Sequence, residues 1–262
     1  MNMNYDIITV KEQLLADNDQ IAAQTRARLA AQGVVLVNLM GSPGAGKTSV
    51  LLRLLALLPD LRIGVMEADV DADVDAKTVS EAGARVVQLH TGGLCHMDAA
   101  MTAQGLDALL QTLPCPAQNL PCKQGRGTGL KAGGGVRPDD RAPSGGGVAS
   151  PFDLIFLENV GYLVCPAEFD VGADLRMMLL SVPEGDDKPL KYPLMFTVSD
   201  IMLVNKIDAA PVFDFDLELA TERARALNPA IQIFPVSAKL GEGFEAVAAL
   251  LRGLCAERRR QA

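Results

Sequence analysis

Short, nearly continuous apolar runs recur along the chain and alternate with segments of helical pattern. Such runs, bounded by polar or glycine-rich turns, are typical of strands buried on both faces. The predicted strands are residues 34–40, 62–67, 85–89, 153–158, 201–205 and 231–236. The predicted helices between them are residues 48–58, 76–82, 97–113, 217–226 and 244–255. This alternation predicts an α/β fold, a mostly parallel sheet with helices on both faces and ligands at the carboxyl ends of its strands.

Two segments stand outside this pattern. An amphipathic helix over about residues 10–31 precedes the first predicted strand, so residues 1–33 are predicted to be an N-terminal helical extension of a domain at residues 34–262. Residues 114–150 contain nine Gly and five Pro, which leaves few apolar side chains and predicts a flexible insertion into that domain. Cys115 and Cys122 in the insertion have no His or further Cys beside them, and we interpret them as incidental.

Composition narrows the classes of function. The chain has 24 Lys and Arg against 32 Asp and Glu, a net charge of −8, so it offers no basic surface and we expect no nucleic-acid partner. Its five Cys are an odd number in 262 residues, which does not indicate a disulfide framework. Neither a signal peptide nor an apolar window long enough to span a membrane is recognisable, so we expect a cytoplasmic protein without membrane association.

A phosphate-binding motif follows the first predicted strand and opens the next helix. Residues 41–48 fit the pattern G-x-x-x-x-G-K-[ST], and this context makes a P-loop NTPase sheet the expected fold. Lys47 would reach the outer phosphates, and the Thr48 hydroxyl would ligate Mg²⁺. The residues predicted to bind the nucleotide here are Gly41, Ser42, Gly44, Ala45, Gly46, Lys47, Thr48 and Ser49.

A second motif indicates which base is bound. Residues 205–208 read Asn-Lys-Ile-Asp and follow a predicted strand, and the Asp208 carboxylate can accept hydrogen bonds from the ring N–H and exocyclic amine of guanine. Adenine lacks that amine, so the motif favours GTP over ATP. Asn205 and Lys206 belong to the same motif, and Ser237 and Ala238 are predicted to contact the guanine through their backbone.

Acidic residues near the predicted nucleotide site supply candidate catalytic groups. Glu158 ends a predicted strand and Gly161 follows three residues later, which indicates an acid near Mg²⁺ and a glycine whose N–H senses the γ-phosphate. A run of alternating acids, which begins with Glu67, follows the second predicted strand. Among these, Asp69 is the preferred candidate for contact with Mg²⁺ or its waters, and Asp75 is the second.

Soft ligands indicate a separate metal site. Cys95 and His96 are adjacent at a predicted loop-to-helix junction, and Cys165 lies four residues after Gly161. Thiolate and imidazole suit Zn²⁺ or Ni²⁺. From the residues alone, small buried thiols remain an equally good interpretation of the two cysteines.

Taken together, these motifs resemble those of the HypB nickel-incorporation family, GTPases of the SIMIBI class of P-loop NTPases. The resemblance covers nearly the whole chain except residues 114–150, and it depends on residues 41–48, 91–99, 158–161, 163–170, 184–193 and 205–208. It implies a GTPase that dimerises on GTP or metal binding and delivers nickel to the large subunit of [NiFe] hydrogenase with a HypA-like chaperone. It also implies that Cys95, His96 and Cys165 are the metal ligands, with water or a second subunit completing the shell.

Departures from the family pattern and rival interpretations limit this inference. The chain has no N-terminal cysteine motif for tight nickel binding and no histidine-rich storage tract, so the resemblance implies delivery and not storage. One rival interpretation is a urease-type nickel GTPase, whose metal motif would be Cys-Pro-His. In this chain Ala167 follows Cys165 and Pro166, which counts against that interpretation. A cobalamin-enzyme chaperone GTPase would not need Cys95 and His96. A nucleotide-gated metal-binding module with negligible turnover is the remaining alternative.

Overall fold

A computed structural model describes residues 10–69, 74–111 and 150–262, and for residues 10–13, 69, 74 and 75 it describes the backbone only. The predicted insertion lies outside the described residues apart from Ser150. Seven parallel strands form one sheet in the order β3-β2-β4-β1-β5-β6-β7. The strands are β1 Val35–Gly41, β2 Ile63–Asp69, β3 Arg85–His90, β4 Leu154–Glu158, β5 Leu175–Ser181, β6 Ile201–Asn205 and β7 Gln232–Pro235.

Helices connect these strands, as parallel pairing requires. The helices are α1 Val10–Ala31, α2 Lys47–Leu57, α3 Val74–Glu81, α4 Ala99–Gln111, α5 Cys165–Glu168, α6 Lys188–Lys191, α7 Pro193–Val198, α8 Leu217–Leu227 and α9 Phe244–Gln261. Single 3₁₀ turns follow β5 at Val182–Glu184 and β6 at Ile207–Ala209. None of the helices in the described ranges is long and apolar enough to cross a bilayer.

Side chains of each central strand alternate between the two faces of the sheet. Val37 and Leu39 of β1 pack with α2 and α9 on one face, whereas Leu36 packs with α1 and α4 on the other. Met40 joins a third cluster on that second face, under α7 and α8. The prediction of a parallel sheet with helices on both faces is therefore confirmed.

Two predictions about the strands were wrong in detail. The strands predicted at residues 85–89 and 231–236 were expected to be buried on both faces, but β3 and β7 are the edge strands of the sheet and only half-buried. Strand β5, next to β1 in the centre, was not predicted at all. Its Leu- and Met-rich run contains no β-branched residue, so local propensity gives little indication of a strand, and burial between β1 and β6 decides its conformation.

Helix α1 has the predicted extent and packs on the same core as the sheet. Leu29 is fully buried with residues of α4 and β4. Asn18 and Thr25 are also buried, so the inner face of this helix carries polar as well as apolar side chains. The Asn18 amide therefore needs partners inside the protein, and it contacts two segments beside the candidate metal cluster described below.

The strand order gathers the motifs at one edge of the sheet. Strand β1, which leads into the phosphate-binding motif, lies between β4 and β5. Leu39 of β1 is in register with Glu158 at the end of β4, and Glu67 of β2 is in register with the same Glu158. The carboxyl ends of three adjacent strands thus meet, and a ligand site is expected there.

Candidate functional site

The phosphate-binding motif forms a tight loop between β1 and α2. Gly44 and Gly46 have left-handed backbone conformations, with φ of 75° and 95°. A Cβ atom at Gly46 would lie 2.6 Å from Nδ2 of Asn205, so only glycine fits. Helix α2 begins at Lys47, directly after this turn. The loop therefore presents backbone N–H groups and the positive end of a helix, the arrangement that binds phosphates.

A cavity of about 450 Å³ lies against this loop. Its lining includes Gly44, Gly46, Lys47, Thr48 and Ser49 of the predicted set. Gly41, the last residue of β1, and the loop residues Ser42 and Ala45 are not part of the lining. Lys47 Nζ is 3.4 Å from the carbonyl oxygen of Gly41. The cavity is of a size that suits a small-molecule ligand.

The segment after β4 forms the opposite wall of the cavity. The Thr48 hydroxyl donates a hydrogen bond to Oε1 of Glu158 at 3.0 Å. Gly161 lies against the phosphate-binding loop, since a Cβ atom there would be 3.1 Å from Pro43. Glu158 and Gly161 thus both lie at the phosphate-binding loop, and their catalytic roles stay predictions.

Glu67 is the acid of the β2 run that the structure brings to the cavity. It is 2% exposed and in register with Glu158 on the neighbouring strand. Asp69 and Asp75 are the acids that the sequence favours, and their side chains lie outside the described residues. The buried position of Glu67 at a strand end beside β4 depends on strand order, which the local sequence does not reveal.

The candidate guanine-binding residues are joined to the phosphate-binding loop through Asn205. Its Nδ2 donates to the Ala45 carbonyl at 2.9 Å, and its Oδ1 accepts from the Ala238 N–H at 3.1 Å. Lys206, in a left-handed conformation, donates to the Gly44 carbonyl at 2.6 Å.

Asp208 is held in a fixed orientation beside this junction. The Ser237 hydroxyl donates to its Oδ1 at 2.6 Å. Arg53 of α2 donates to the carbonyl oxygens of Ala238 and Lys239, which holds their loop against the same helix. The five residues predicted for the base therefore lie together, at the end of β6 and beyond β7.

Cys95, His96 and Cys165 form the candidate metal cluster. One potential ligand atom from each lies within 4.8 Å of the others, although Cys165 is 70 residues away from Cys95 along the chain. The two Sγ atoms are 2.9 Å apart, and Nδ1 of His96 is 3.8 Å from Sγ of Cys95. Within the described ranges, no other group of three His, Cys, Asp or Glu side chains converges in this way.

The local environment shifts the pKa values of His96 and Cys165 and orients the imidazole. Burial lowers the pKa of His96, against the opposing influence of Asp98 and Glu168, and this favours the neutral imidazole that can ligate a metal. The pKa of the Cys165 thiol is raised, chiefly by its hydrogen bond with Cys95 and to a lesser extent by burial. The imidazole stacks on Phe169 with the ring centroids 4.0 Å apart, which fixes its plane.

Cys255 shows the contrasting environment of a packing cysteine. It is fully buried on α9 among the residues of the sheet core, and burial raises its pKa to about 11. Cys95 and Cys165 are instead partly exposed, beside an imidazole and each other. This difference weakens the interpretation of Cys95 and Cys165 as apolar filler.

Comparison with known proteins identifies the family. Residues 35–235 match the family model of the CobW/HypB/UreG nucleotide-binding domain. The hydrogenase maturation factor HypB of Rhizobium leguminosarum bv. viciae is 39% identical over 253 residues, which span 96% of this chain and 72% of that protein.

Solved structures agree with this assignment. HypB from Helicobacter pylori in complex with nickel is 32% identical with a TM-score of 0.74, and the match covers 92% of this chain and 96% of that one. The hydrogenase maturation factor HypB from Archaeoglobus fulgidus is 31% identical with a TM-score of 0.73, over 92% of this chain and 100% of that one. This chain therefore belongs to the CobW/HypB/UreG family of nucleotide-binding proteins and, within it, to the HypB hydrogenase maturation factors.

Proposed function

We propose that this protein is a Mg²⁺-dependent cytoplasmic GTPase that carries Ni²⁺ at Cys95, His96 and Cys165 and couples GTP hydrolysis to nickel insertion into [NiFe] hydrogenase. The observation that carries the proposal is the convergence of three soft ligands from two distant segments. One of those segments runs from Glu158, at the nucleotide cavity, to Cys165. Zn²⁺ suits the same ligands and is the alternative cargo.

The nucleotide site contains the parts that GTP hydrolysis requires. In this proposal Lys47 binds the outer phosphates, and the Asp208 carboxylate accepts hydrogen bonds from guanine. Thr48 and Glu158 supply neighbouring oxygen atoms of the kind that Mg²⁺ prefers, with Glu67 beside them. Mg²⁺ held there would neutralise charge on the β- and γ-phosphates.

The nucleotide state would control the grip on nickel through the segment that follows β4. A γ-phosphate gives the N–H of Gly161 a partner and orders this segment, and loss of the phosphate releases it. Cys165 moves with the segment, while Cys95 and His96 are held at the start of α4. The distance between the ligands, and hence the affinity for the metal, then depends on the nucleotide.

The incomplete set of metal ligands within one chain supports a homodimer. Three ligands leave a four-coordinate ion one short, so water or a second copy supplies the fourth. Leu94, Tyr162 and Val164 are 45%, 51% and 51% exposed although they are apolar or aromatic, and they flank the ligands in the sequence. A second copy would bury this surface; a HypA-like chaperone and the large subunit of [NiFe] hydrogenase are the further partners of the proposal.

The test is GTP turnover and nickel binding on matched variants. The wild-type protein is expected to hydrolyse GTP with Mg²⁺ and to bind Ni²⁺. Lys47→Ala should lose nucleotide binding and turnover but still bind Ni²⁺ in the absence of nucleotide. Cys165→Ala should bind and hydrolyse GTP but lose Ni²⁺ binding. If the wild-type protein hydrolyses GTP no faster than Lys47→Ala does, the nucleotide-gated module with negligible turnover is favoured. Full nickel affinity in Cys165→Ala would exclude this cysteine as a ligand.

A further inference from the structure

Asn159 makes hydrogen bonds to three separate parts of the chain. It follows Glu158 directly and is 1% exposed. Its backbone N–H donates to the Leu39 carbonyl of β1 at 2.9 Å, and its Nδ2 donates to Oδ1 of Asn38 at 3.2 Å. Its Oδ1 accepts from the N–H of Val160 at 2.9 Å and from the N–H of Met97 at 3.2 Å. Both polar atoms of this buried side-chain amide are therefore hydrogen-bonded.

Met97 connects this amide to the metal cluster. It follows His96 directly, and its side chain is 1% exposed in the core cluster that contains Leu157 and Val160. Its N–H is bonded to Asn159. The backbone next to His96 is thus fixed both by apolar packing and by a side chain that belongs to the wall of the nucleotide cavity.

The chemistry of the amide suits this junction. Toward Asn38 an N–H donor is required, and toward Met97 an acceptor is required; a neutral amide provides both at fixed spacing. A carboxylate at the same place would accept from Met97 but could not donate to Asn38, and it would bring a charge into this buried junction. An aliphatic side chain would leave the Met97 N–H buried without its partner.

We propose that Asn159 is the positioning residue that transmits the nucleotide state to the Cys95–His96 half of the metal cluster, an inference that rests on the function proposed above. Cys165 is carried on the segment beyond Gly161, so that segment alone would move one ligand. Asn159 is hydrogen-bonded to β1 and precedes this segment directly. When the segment moves, the hydrogen bond from the Met97 N–H to Asn159 carries the Met97 backbone with it. Both halves of the cluster then respond to the γ-phosphate, through hydrogen bonds from one residue.

The experiment measures the dissociation constant of Ni²⁺ in the full-length protein with Mg²⁺, once with GDP and once with a non-hydrolysable GTP analogue. The readout is the ratio of the two constants, which a purely structural role would leave unchanged. In the wild type we expect a ratio of about fivefold or more in either direction, the usual range of coupling between two sites. Asn159→Asp should bring the ratio to within about twofold of one while both ligands still bind.

Two further variants make the result decisive. Met97→Leu conserves volume and the backbone N–H, so its ratio should equal that of the wild type. Asn38→Ala removes the acceptor of the Asn159 amide from the other side, and it should reduce the ratio in the same way. It decides the question if Asn159→Asp does not fold.

Each outcome has one meaning. A wild-type ratio of one would contradict the proposed function itself. A normal wild-type ratio that persists in folded Asn159→Asp, or in Asn38→Ala when Asn159→Asp does not fold, would overturn the role of Asn159 and leave the proposed function intact. Loss of the ratio in these variants, with Met97→Leu unchanged, would support it.

Discussion

Buried asparagines connect the functional segments of this protein. Asn205 joins the phosphate-binding loop to the Ser237–Ala238 loop, and Asn159 joins β1 to the start of α4. Asn18 joins α1 to two segments beside the metal cluster. An amide offers a donor and an acceptor without the desolvation cost of a charge, so it can link two backbones inside the core. None of these links is visible as a sequence pattern, because each depends on contacts between distant segments.

Asp208 is the residue whose replacement should change the base that is bound. Asp208→Asn is expected to weaken GTP binding by about 10- to 100-fold, because hydrogen bonds to a charged acceptor contribute roughly 1.5–3 kcal/mol. It should gain affinity for XTP, whose C2 carbonyl can accept from the new amide. Competition binding with GTP and XTP measures both effects.

The control for this exchange is Asp214→Asn, which removes a carboxylate from an exposed position nearby in sequence. It should leave both affinities unchanged. If Asp208→Asn prefers GTP as strongly as the control does, the base is read by other groups.

Among the elements, α1 connects the segments that carry the metal ligands. Asn18 accepts from the Ala99 N–H at the start of α4, three residues after His96, and donates to the Asp170 carbonyl, five residues after Cys165; both distances are 2.8 Å. Arg26 of the same helix makes two hydrogen bonds to the Asp170 carboxylate. Burial would raise the pKa of Asp170, but the bonds from Arg26 and the Gly172 N–H outweigh it and lower the pKa. The helix thus contacts both segments that carry the candidate metal ligands.

Asn18→Ala is therefore expected to weaken Ni²⁺ binding without affecting GTP binding. Without these two hydrogen bonds the segments that carry the ligands are held less firmly, so nickel affinity should fall by up to about tenfold. Isothermal titration with Ni²⁺ and with GTP measures both. Gln20→Ala, at an exposed position of the same helix, is the matched control. Equal nickel affinities in the two variants would show that α1 does not organise the cluster.

The sequence predicted most elements of the fold but not how they are arranged. Six of the seven strands were predicted with ends within one or two residues, because buried runs and the P-loop mark them. Strand β5 was missed, since Leu and Met do not distinguish strand from helix. The edge positions of β3 and β7 follow from the strand order, which periodicity does not contain.

The candidate site, like the fold, was predicted only in part from the sequence. Motif spacing identified the residues of the nucleotide cavity, including Lys47, Thr48 and Glu158. The residue pattern left the proximity of Cys165 to Cys95 open, because 70 residues separate them, and the resemblance to HypB favoured it. Glu67 was passed over in favour of its neighbours, and its burial beside Glu158 depends on the pairing of β2 with β4.

On the scale of the whole molecule, one continuous segment joins the nucleotide cavity to the candidate metal cluster. It begins at Glu158, where β4 reaches the nucleotide cavity, passes Gly161 against the phosphate-binding loop and ends at Cys165 in the metal cluster. The parallel sheet makes this geometry available, since β4 lies between β1 and β2 and ends at the same edge. A change at the γ-phosphate therefore has a short covalent route to a metal ligand.

The most direct measurement is the dissociation constant of Ni²⁺ for the wild-type protein in its GDP form and in its GTP-analogue form, under identical Mg²⁺ and pH. The linkage through residues 158–165 predicts that the two nickel dissociation constants differ by about fivefold or more. It also predicts that added Ni²⁺ changes the ratio of the GDP and GTP-analogue affinities by the same factor. Equal constants in the two forms would contradict it.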